Sequence, residues 1–512
     1  MIDLTIGRAI RIACESNASS TAMIFEDQKI SFEDFYSKVN KVANTLIQLG
    51  FKVGDKVALL LPNSPLYLEV VCGAASVGVG VVLLNYRFTT TEINYHIKDS
   101  EAKALIFDES FQEKIIPLES QIKSLQLIPV QKSNYFKINL NDLLEVASDQ
   151  SPHIIVRESD LLMLQYTSGT TGNPKGAMIT HRNRCLAFLH WPSIFGYGSK
   201  DSILHTGPFH HSAPLGMTLS QLCIGGSVVI MPAFNTHLAL ELISKYKVTW
   251  SFMVPFMFQA IASEQANSMD AFDCSSLRVL LSGASPLPTV VKESILKIFP
   301  KAGLFEFYGA TEAGTITTLR PEDQSRKFRS VGKAVLGAEV KIVNEFDLHV
   351  GVEEIGEIFL KTPSMFEGYF KAEDKTKSAF KDGWCTLGDL GKFDDEGYLY
   401  IVDRLKDVIK SGGVNIYPSE IEEVLLSHDC VQDAAVIGVP HEKWGESVHA
   451  ILVMKSGKNY DEVEIKQFMR NKLAGYKIPK SIQFRASLPR SAAGKILKRE
   501  LRDEYWKEGI KV

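Results

Sequence analysis

Residues 166–176 read Tyr-Thr-Ser-Gly-Thr-Thr-Gly-Asn-Pro-Lys-Gly, a composition suited to holding a polyphosphate. Gly169 and Gly172 let backbone N–H groups approach an anion with no Cβ in the way. Thr167, Ser168, Thr170 and Thr171 add rotatable hydroxyl donors, and Lys175 adds a positive charge. The preceding run Leu161-Leu162-Met163-Leu164-Gln165 reads as a buried strand that delivers the chain to this loop. The Gly-x-x-x-x-Gly-Lys-Ser/Thr spacing of a Walker A loop does not occur, so the cradle is of another kind.

Six further stretches carry chemistry in chain order. Pro208-Phe209-His210-His211 sets two imidazoles side by side. Ser282-Gly283-Ala284-Ser285-Pro286-Leu287-Pro288 turns from an apolar strand toward a helix. Phe307-Tyr308-Gly309-Ala310-Thr311-Glu312-Ala313-Gly314 offers an aromatic ring and a carboxylate. Mg²⁺ prefers one or two carboxylates, with phosphate oxygens and waters completing its shell. Trp384-Cys385-Thr386-Leu387-Gly388-Asp389 ends on a carboxylate with lone pairs for two donors. Asp403-Arg404-Leu405-Lys406-Asp407 is a charge cluster between two compositional units, and Pro489-Arg490-Ser491-Ala492-Ala493-Gly494-Lys495-Ile496 presents a lysine after a glycine. Singly, these read as a satisfied histidine pair, a strand–helix turn, a helix cap, a turn aspartate, a solvated charge run and a surface lysine. Together and in this order they resemble the motifs of the adenylate-forming superfamily, in its acyl-CoA synthetase branch.

The resemblance spans nearly the whole chain and implies a role for each stretch. ATP would lie on Thr167, Ser168, Gly169, Thr170, Thr171, Gly172 and Lys175. Gly283, Ala284 and Ser285 would pack on adenine, and Tyr308 would stack on it. Gly309 and Thr311 would face the phosphates, and Thr167 with Glu312 would hold Mg²⁺. Asp389 would take the ribose hydroxyls, Arg404 would sit near ribose and phosphate, and Lys406 would be the pivot of a domain hinge. Lys410, Gly412 and Gly413 would border coenzyme A, with Pro418 opening the helix that follows. Lys495, with Glu312 and Thr167, would be catalytic, because a lysine offsets the repulsion between an attacking carboxylate and the α-phosphate. The acyl pocket would include His210, His211, Ser251, Met253 and Pro255. His210 stands where the family usually has phenylalanine, and Leu387 where it usually has threonine. Lys498, Arg499 and Arg502 continue a basic stretch that would meet coenzyme A phosphates or form a solvated helix face.

The elements that position these residues follow from pattern. Ser31 caps a helix with Glu33 and Asp34 in its first turn and Phe35, Val39, Val42 and Leu46 on one face. Val57–Leu61, Val81–Leu84, Lys103–Phe107, Ser227–Met231 and Leu277–Leu281 read as buried strands alternating with helices, hence parallel sheets covered on both faces. From about residue 330, short strands separated by Gly/Asp turns suggest a small antiparallel barrel-like unit. The expected fold is α/β: a large N-terminal domain of two αβ-layered subdomains plus this small unit, then a mobile α+β C-terminal domain. Residues 1–403 would form the adenylation domain, 404–406 the hinge and 407–512 the C-terminal domain.

Length and composition set limits. With 512 residues the chain exceeds one core. A net charge of −4 gives no reason to expect a nucleic-acid partner. Seven scattered cysteines without a Cys-x-x-Cys pair indicate neither a disulfide framework nor a zinc site, which suits the cytoplasm. No stretch reads as a signal peptide or a membrane span. The expected activity is ATP- and Mg²⁺-dependent formation of acyl-CoA through acyl-AMP, on a medium- or long-chain fatty acid, by a monomer or homodimer. The alternatives are an aryl or cyclic acid, an acyl carrier protein as acceptor, and a catalytically silent nucleotide-binding protein.

Overall fold

A computed structural model describes residues 3–167, 174–264, 271–455, 461–490 and 494–507. The first sheet has six strands in the order 126–129, 104–107, 56–60, 80–83, 161–167 and 175–180. The first five run parallel. Lys56–Leu60, Gly80–Leu83 and Ala104–Phe107 are buried along their whole length, which is why their sequence shows no alternation. The last two strands are antiparallel, and their final pair is Thr167 opposite Lys175. The polyphosphate loop is therefore strung between two hydrogen-bonded strands. Ser168, Gly169, Thr170, Thr171 and Gly172 lie outside the described residues.

The second sheet has an antiparallel edge strand, Gln28–Ser31, beside the parallel strands Thr21–Phe25, Ser227–Ile230, Ser202–His205, Trp250–Met253, Val279–Ser282 and Gly303–Ala310. Gly303–Ala310 then turns back as the hairpin partner of Gly314–Leu319. The antiparallel unit expected beyond residue 330 is present, but its strands continue this same sheet. Ser330–Ala334 pairs with Gly314–Leu319 on one side and Leu399–Arg404 on the other, so hydrogen bonding passes without a break from parallel to antiparallel strands.

Helices cover these sheets as the pattern requires. Ser31 accepts a hydrogen bond from the Asp34 N–H and starts helix Phe32–Gln48, with Phe35, Val39, Val42 and Leu46 buried. After Arg404 the chain enters a third, five-stranded sheet, built from Ile409–Ser411, Val414–Ile416, Val431–His441, Gly445–Met454 and Ser481–Phe484. Helices Pro418–Leu426, Glu462–Arg470 and Lys498–Lys507 accompany it. Arg404 is still a strand residue of the second sheet, opposite Asp389, one position beyond the boundary expected at 403. Among the described residues, no helix is long and apolar enough to cross a membrane.

Candidate active site

Glu312 lies in the turn of the hairpin Gly303–Ala310/Gly314–Leu319, not at a helix cap. Its carbonyl accepts the Phe366 N–H at 2.7 Å, and its carboxylate accepts the Tyr369 hydroxyl at 2.9 Å. Thr167 Oγ1 is 3.4 Å from the same carboxylate oxygen. The stretch 366–370 runs beside strand Lys175–Thr180: the Met178 N–H donates to the Gly368 carbonyl at 2.9 Å, and the Phe370 N–H to the Gly176 carbonyl at 2.8 Å. This places the Lys175 ammonium 4.7 Å from the centre of the Tyr369 ring. Burial and then Lys375 lower the Lys175 pKa, while Glu312 opposes them. Tyr369 was not singled out from the sequence; the only local signal was the glycine before it, whose φ is +121°.

Thr167 and Glu312 suit a magnesium ion that takes its other ligands from phosphate and water. Among the described residues, no group of three or more His, Cys, Asp or Glu could hold a metal by itself.

A second carboxylate organises the opposite wall. Asp389 accepts the Tyr308 hydroxyl at 2.7 Å and Arg404 Nε at 3.0 Å, one on each oxygen. Tyr308 is thus tethered by its tip, with its ring forming a wall. Gly283 packs against Phe307 so closely that a Cβ would fall 2.7 Å from the ring. Ala284, next in this turn, holds φ +73°, a conformation an alanine rarely adopts. Next to Leu387, Thr386 Oγ1 accepts the Gly388 N–H at 3.1 Å and donates to Glu357 at 2.5 Å.

Lys495 comes from the far end of the chain into this space. Desolvation by the surrounding protein lowers its pKa first, and Arg404 and Lys406 add to that, while Asp389 and Glu312 oppose. The residue keeps solvent exposure, and these four groups set the field at its ammonium. Its loop is braced by Arg490, which pairs with Asp433 and donates from Nη1 to the Gly494 carbonyl at 2.5 Å. Gly494 rests on Phe256, where a Cβ would lie 2.9 Å from the ring.

His210 is buried and His211 half-buried, with ring centres 4.5 Å apart. Gln165 Nε2 donates to the His210 carbonyl at 2.7 Å, which ties this stretch to the phosphate-loop strand. Burial, then Lys495 and Arg87, pull the His211 pKa down to about 4; burial also pulls His210 well below its ordinary value. Both rings are neutral at pH 7, and each Nε2 is buried without a partner. Of the other expected pocket residues, Met253 is buried and Pro255 opens helix Pro255–Ala262. Ser251 commits its hydroxyl to the Leu204 carbonyl at 2.9 Å, inside the sheet.

The expected coenzyme A residues are held apart from this cluster. Gly412 and Gly413 form the turn of hairpin Ile409–Ser411/Val414–Ile416. The Gly412 N–H donates to the Trp444 carbonyl at 2.9 Å, and the Lys410 N–H to Glu446 at 3.2 Å. Lys498, where the basic stretch begins, is half-buried and pairs with Glu422 at 2.7 Å. Arg502 Nη1 donates to the Lys406 carbonyl at 2.9 Å.

The buried histidines predict a pH response. His181, His205, His211 and His449 have pKa values lowered by burial, to about 4, 3, 4 and 4. The unfolded chain binds protons at these rings below its own pKa of about 6.5, and the folded chain does not. Their contribution is full above about pH 6.5 and is lost as pH falls toward 4. Thermal melts from pH 7.5 to 4.5 should show Tm falling steeply below about pH 6.5, by roughly 5 °C or more in total. A flat profile would contradict the burial of these rings as neutral groups.

Residues 10–370 match the family described as AMP-binding enzyme, and residues 420–495 match the AMP-binding enzyme C-terminal domain. The chain is 35% identical over 491 residues to a feruloyl-CoA synthase of Amycolatopsis sp, covering 95% of this chain and 96% of that protein. It is 32% identical to a long-chain-fatty-acid–CoA ligase of Bacillus subtilis (strain 168), covering 94% and 91%. The fold superposes on o-succinylbenzoate CoA synthetase (MenE) from Bacillus subtilis in complex with the acyl-adenylate intermediate OSB-AMP, with a TM-score of 0.87, 31% identity and coverage of 98% and 99%. The chain belongs to the AMP-binding enzyme family and is an AMP-forming acid–thiol ligase of its acyl-CoA synthetase branch.

Proposed function

We propose that this AMP-binding enzyme activates a small-molecule carboxylic acid with ATP and Mg²⁺ and transfers the acyl group from acyl-AMP to coenzyme A. The observation that carries the site assignment is that two anchored carboxylates, Asp389 held by Tyr308 and Arg404 and Glu312 held by Tyr369, both act on the Lys495 ammonium. That cluster gathers an ammonium, a nucleoside-side carboxylate and a phosphate-side carboxylate. It is the arrangement the adenylation step needs.

The residues act by position and charge. Lys175 and the loop it closes hold the β- and γ-phosphates. Thr167 and Glu312 would hold Mg²⁺, which would supply charge neutralisation at the phosphates; Tyr369 fixes the Glu312 carboxylate. Asp389 retains lone pairs beyond those used by Tyr308 and Arg404 and accepts the ribose hydroxyls. Tyr308 and the Gly283–Ser285 turn enclose adenine. The acid's carboxylate attacks the α-phosphorus, the bond to pyrophosphate breaks, and Lys495 stabilises the charge developing on the oxygens between them. Coenzyme A sulfur then attacks the acyl carbon and AMP leaves. No protein nucleophile takes part, so rate comes from orientation and electrostatics. Lys410, Gly412 and Gly413 lie away from the cluster in this arrangement. We assign them to the second half-reaction, reached by rotation at Lys406.

For the acid, the family resemblance pointed to a medium- or long-chain fatty acid, and relatives named for aryl acids are equally similar. The wall beside the reaction centre favours an acid with polar substituents, because His210 and His211 both present unpartnered nitrogens where a plain alkyl chain would leave them unsatisfied. AMP formation across alkyl, aryl and dicarboxylic acids, with and without coenzyme A, tests this. Plain fatty acids as the best substrates would overturn the polar-pocket assignment. AMP formation with none would overturn the activity.

Asp389→Ala should raise the KM for ATP by about tenfold or more while leaving the KM for the acid nearly unchanged, because a lost charge-assisted contact is worth about 1.5–3 kcal/mol. Unchanged ATP affinity by calorimetry would remove Asp389 from the ribose site.

A further inference from the structure

Arg184 is a buried cation to which no described residue supplies a counter-charge. It lies in the first turn of helix His181–Phe195 and is 4% exposed. Its Nη2 donates to Ser212 Oγ, and its Nε is buried without a partner. Burial alone lowers its pKa, to about 10, so it keeps its charge at pH 7, and no carboxylate contributes to its environment. A guanidinium has five donors in a planar fork, and one bond to a neutral hydroxyl leaves most of them unused. A buried charge left this way is strongly unfavourable. Such an arrangement persists where a ligand completes it.

The neighbourhood is built to receive an anion. Ser212 opens the helix Ser212–Cys223, whose N-cap, His211, makes no side-chain capping bond. That end of the helix carries the positive pole of the dipole and open N–H groups. Arg87 contributes a further positive field at His210 and His211. Lys495 adds to the positive field at His211, the neighbour of the Arg184 partner Ser212. The reacting carboxylate belongs with Lys495 and the phosphates, which leaves Arg184 unaccounted for by an acid with a single anionic group. Further along the same helix pair, Trp191 lies against Gly216, where a Cβ would be 3.0 Å from the ring. The two helices are therefore closely packed at that level.

We propose that Arg184, Ser212 and the N-terminal turn of helix Ser212–Cys223 form a subsite for a second carboxylate on the activated acid. One carboxylate of a dicarboxylic substrate reacts at the α-phosphate, and the other pairs with the Arg184 guanidinium. This rests on the acyl-CoA synthetase reading of the site and specifies its substrate class.

The test compares wild type with Arg184→Met and Arg184→Lys, all as the full chain. Each is assayed for AMP release with ATP, Mg²⁺ and coenzyme A on short dicarboxylic acids, aliphatic and aryl, and on the matched acids in which the second carboxylate is a methyl ester. Wild type should favour the diacid by at least about tenfold in kcat/KM, because a site built for a polar group rejects the analogue lacking it. Arg184→Met should collapse or invert that ratio, and Arg184→Lys should recover part of it. Methionine replaces an unpaired buried charge with an apolar chain of similar length, so the fold is expected to survive. Thermal shifts with the same acids read the subsite without turnover. A diacid that raises Tm in wild type but not in Arg184→Met supports the subsite even if no AMP forms, in which case the ligase reading fails on its own. Equal ratios in wild type and Arg184→Met, or equal Tm shifts in both, would overturn the subsite.

Discussion

Replacing Lys495 with alanine should reduce acyl-AMP formation by about 100- to 1,000-fold, the usual range for removing one positioned charge from a transition state. Thioester formation from supplied acyl-AMP should stay within about threefold of wild type, because no charge then develops at phosphorus and this lysine has nothing to neutralise. The structure sharpens the expectation. Lys495 sits among Arg404 and Lys406 as well as Asp389 and Glu312, so its ammonium is held in a field of mixed sign. Removing it leaves Asp389 paired with Arg404 and Tyr308, and Glu312 bonded to Tyr369, so neither carboxylate is orphaned and the variant should fold. Single-turnover assays of each half-reaction decide the matter. Equal losses in both would end the assignment of Lys495 to the first step.

Lys406→Pro should separate the half-reactions in the opposite sense. Lys406 lies in the turn in which the Asp407 N–H donates to the Arg404 carbonyl at 2.9 Å, while the Leu405 N–H donates to the Gly388 carbonyl at 2.8 Å. Neither of those N–H groups is removed by a proline at 406. The ring would fix φ near −65° and so oppose a backbone rotation at that residue. It would also bias Leu405 toward extended conformations, so adenylation should fall, but by no more than about tenfold. Consumption of acyl-AMP by coenzyme A should fall by at least about 100-fold, because Gly412 and Gly413 would remain on the hairpin beside Trp444. The readout is the burst of acyl-AMP with ATP alone, followed by its decay on adding coenzyme A. Decay at the wild-type rate would remove Lys406 as the pivot. Circular dichroism and melting must show a folded variant first, since an unfolded one loses both steps.

Much of this site is legible in the amino-acid sequence because its chemistry is local. A loop dense in glycine and hydroxyl groups, ending at Lys175, announces phosphate binding within eleven residues. The same holds for the helix begun by Ser31, whose cap and apolar face depend only on neighbours up to one turn away. The carboxylates of Glu312 and Asp389 and the ammonium of Lys495 were also identifiable, since each follows a glycine-containing turn in a fixed order along the chain. What a residue is able to donate, accept or allow in φ is written in its own side chain and those beside it.

What each group does with that capacity is decided by partners remote in sequence. Glu312 reads as a helix cap from its neighbours, yet it sits in a hairpin turn and is fixed by Tyr369, 57 residues away. Lys498 reads as part of a basic surface, yet it is half-buried in a pair with Glu422. Arg184 carries no local signal at all; its significance comes from burial beside Ser212, 28 residues on, with no carboxylate in reach. The physical reason is common to all three. Ionisation and hydrogen-bond satisfaction depend on desolvation and on what stands within a few ångströms. Those are set by how the sheets and helices pack, so only the tertiary structure determines them.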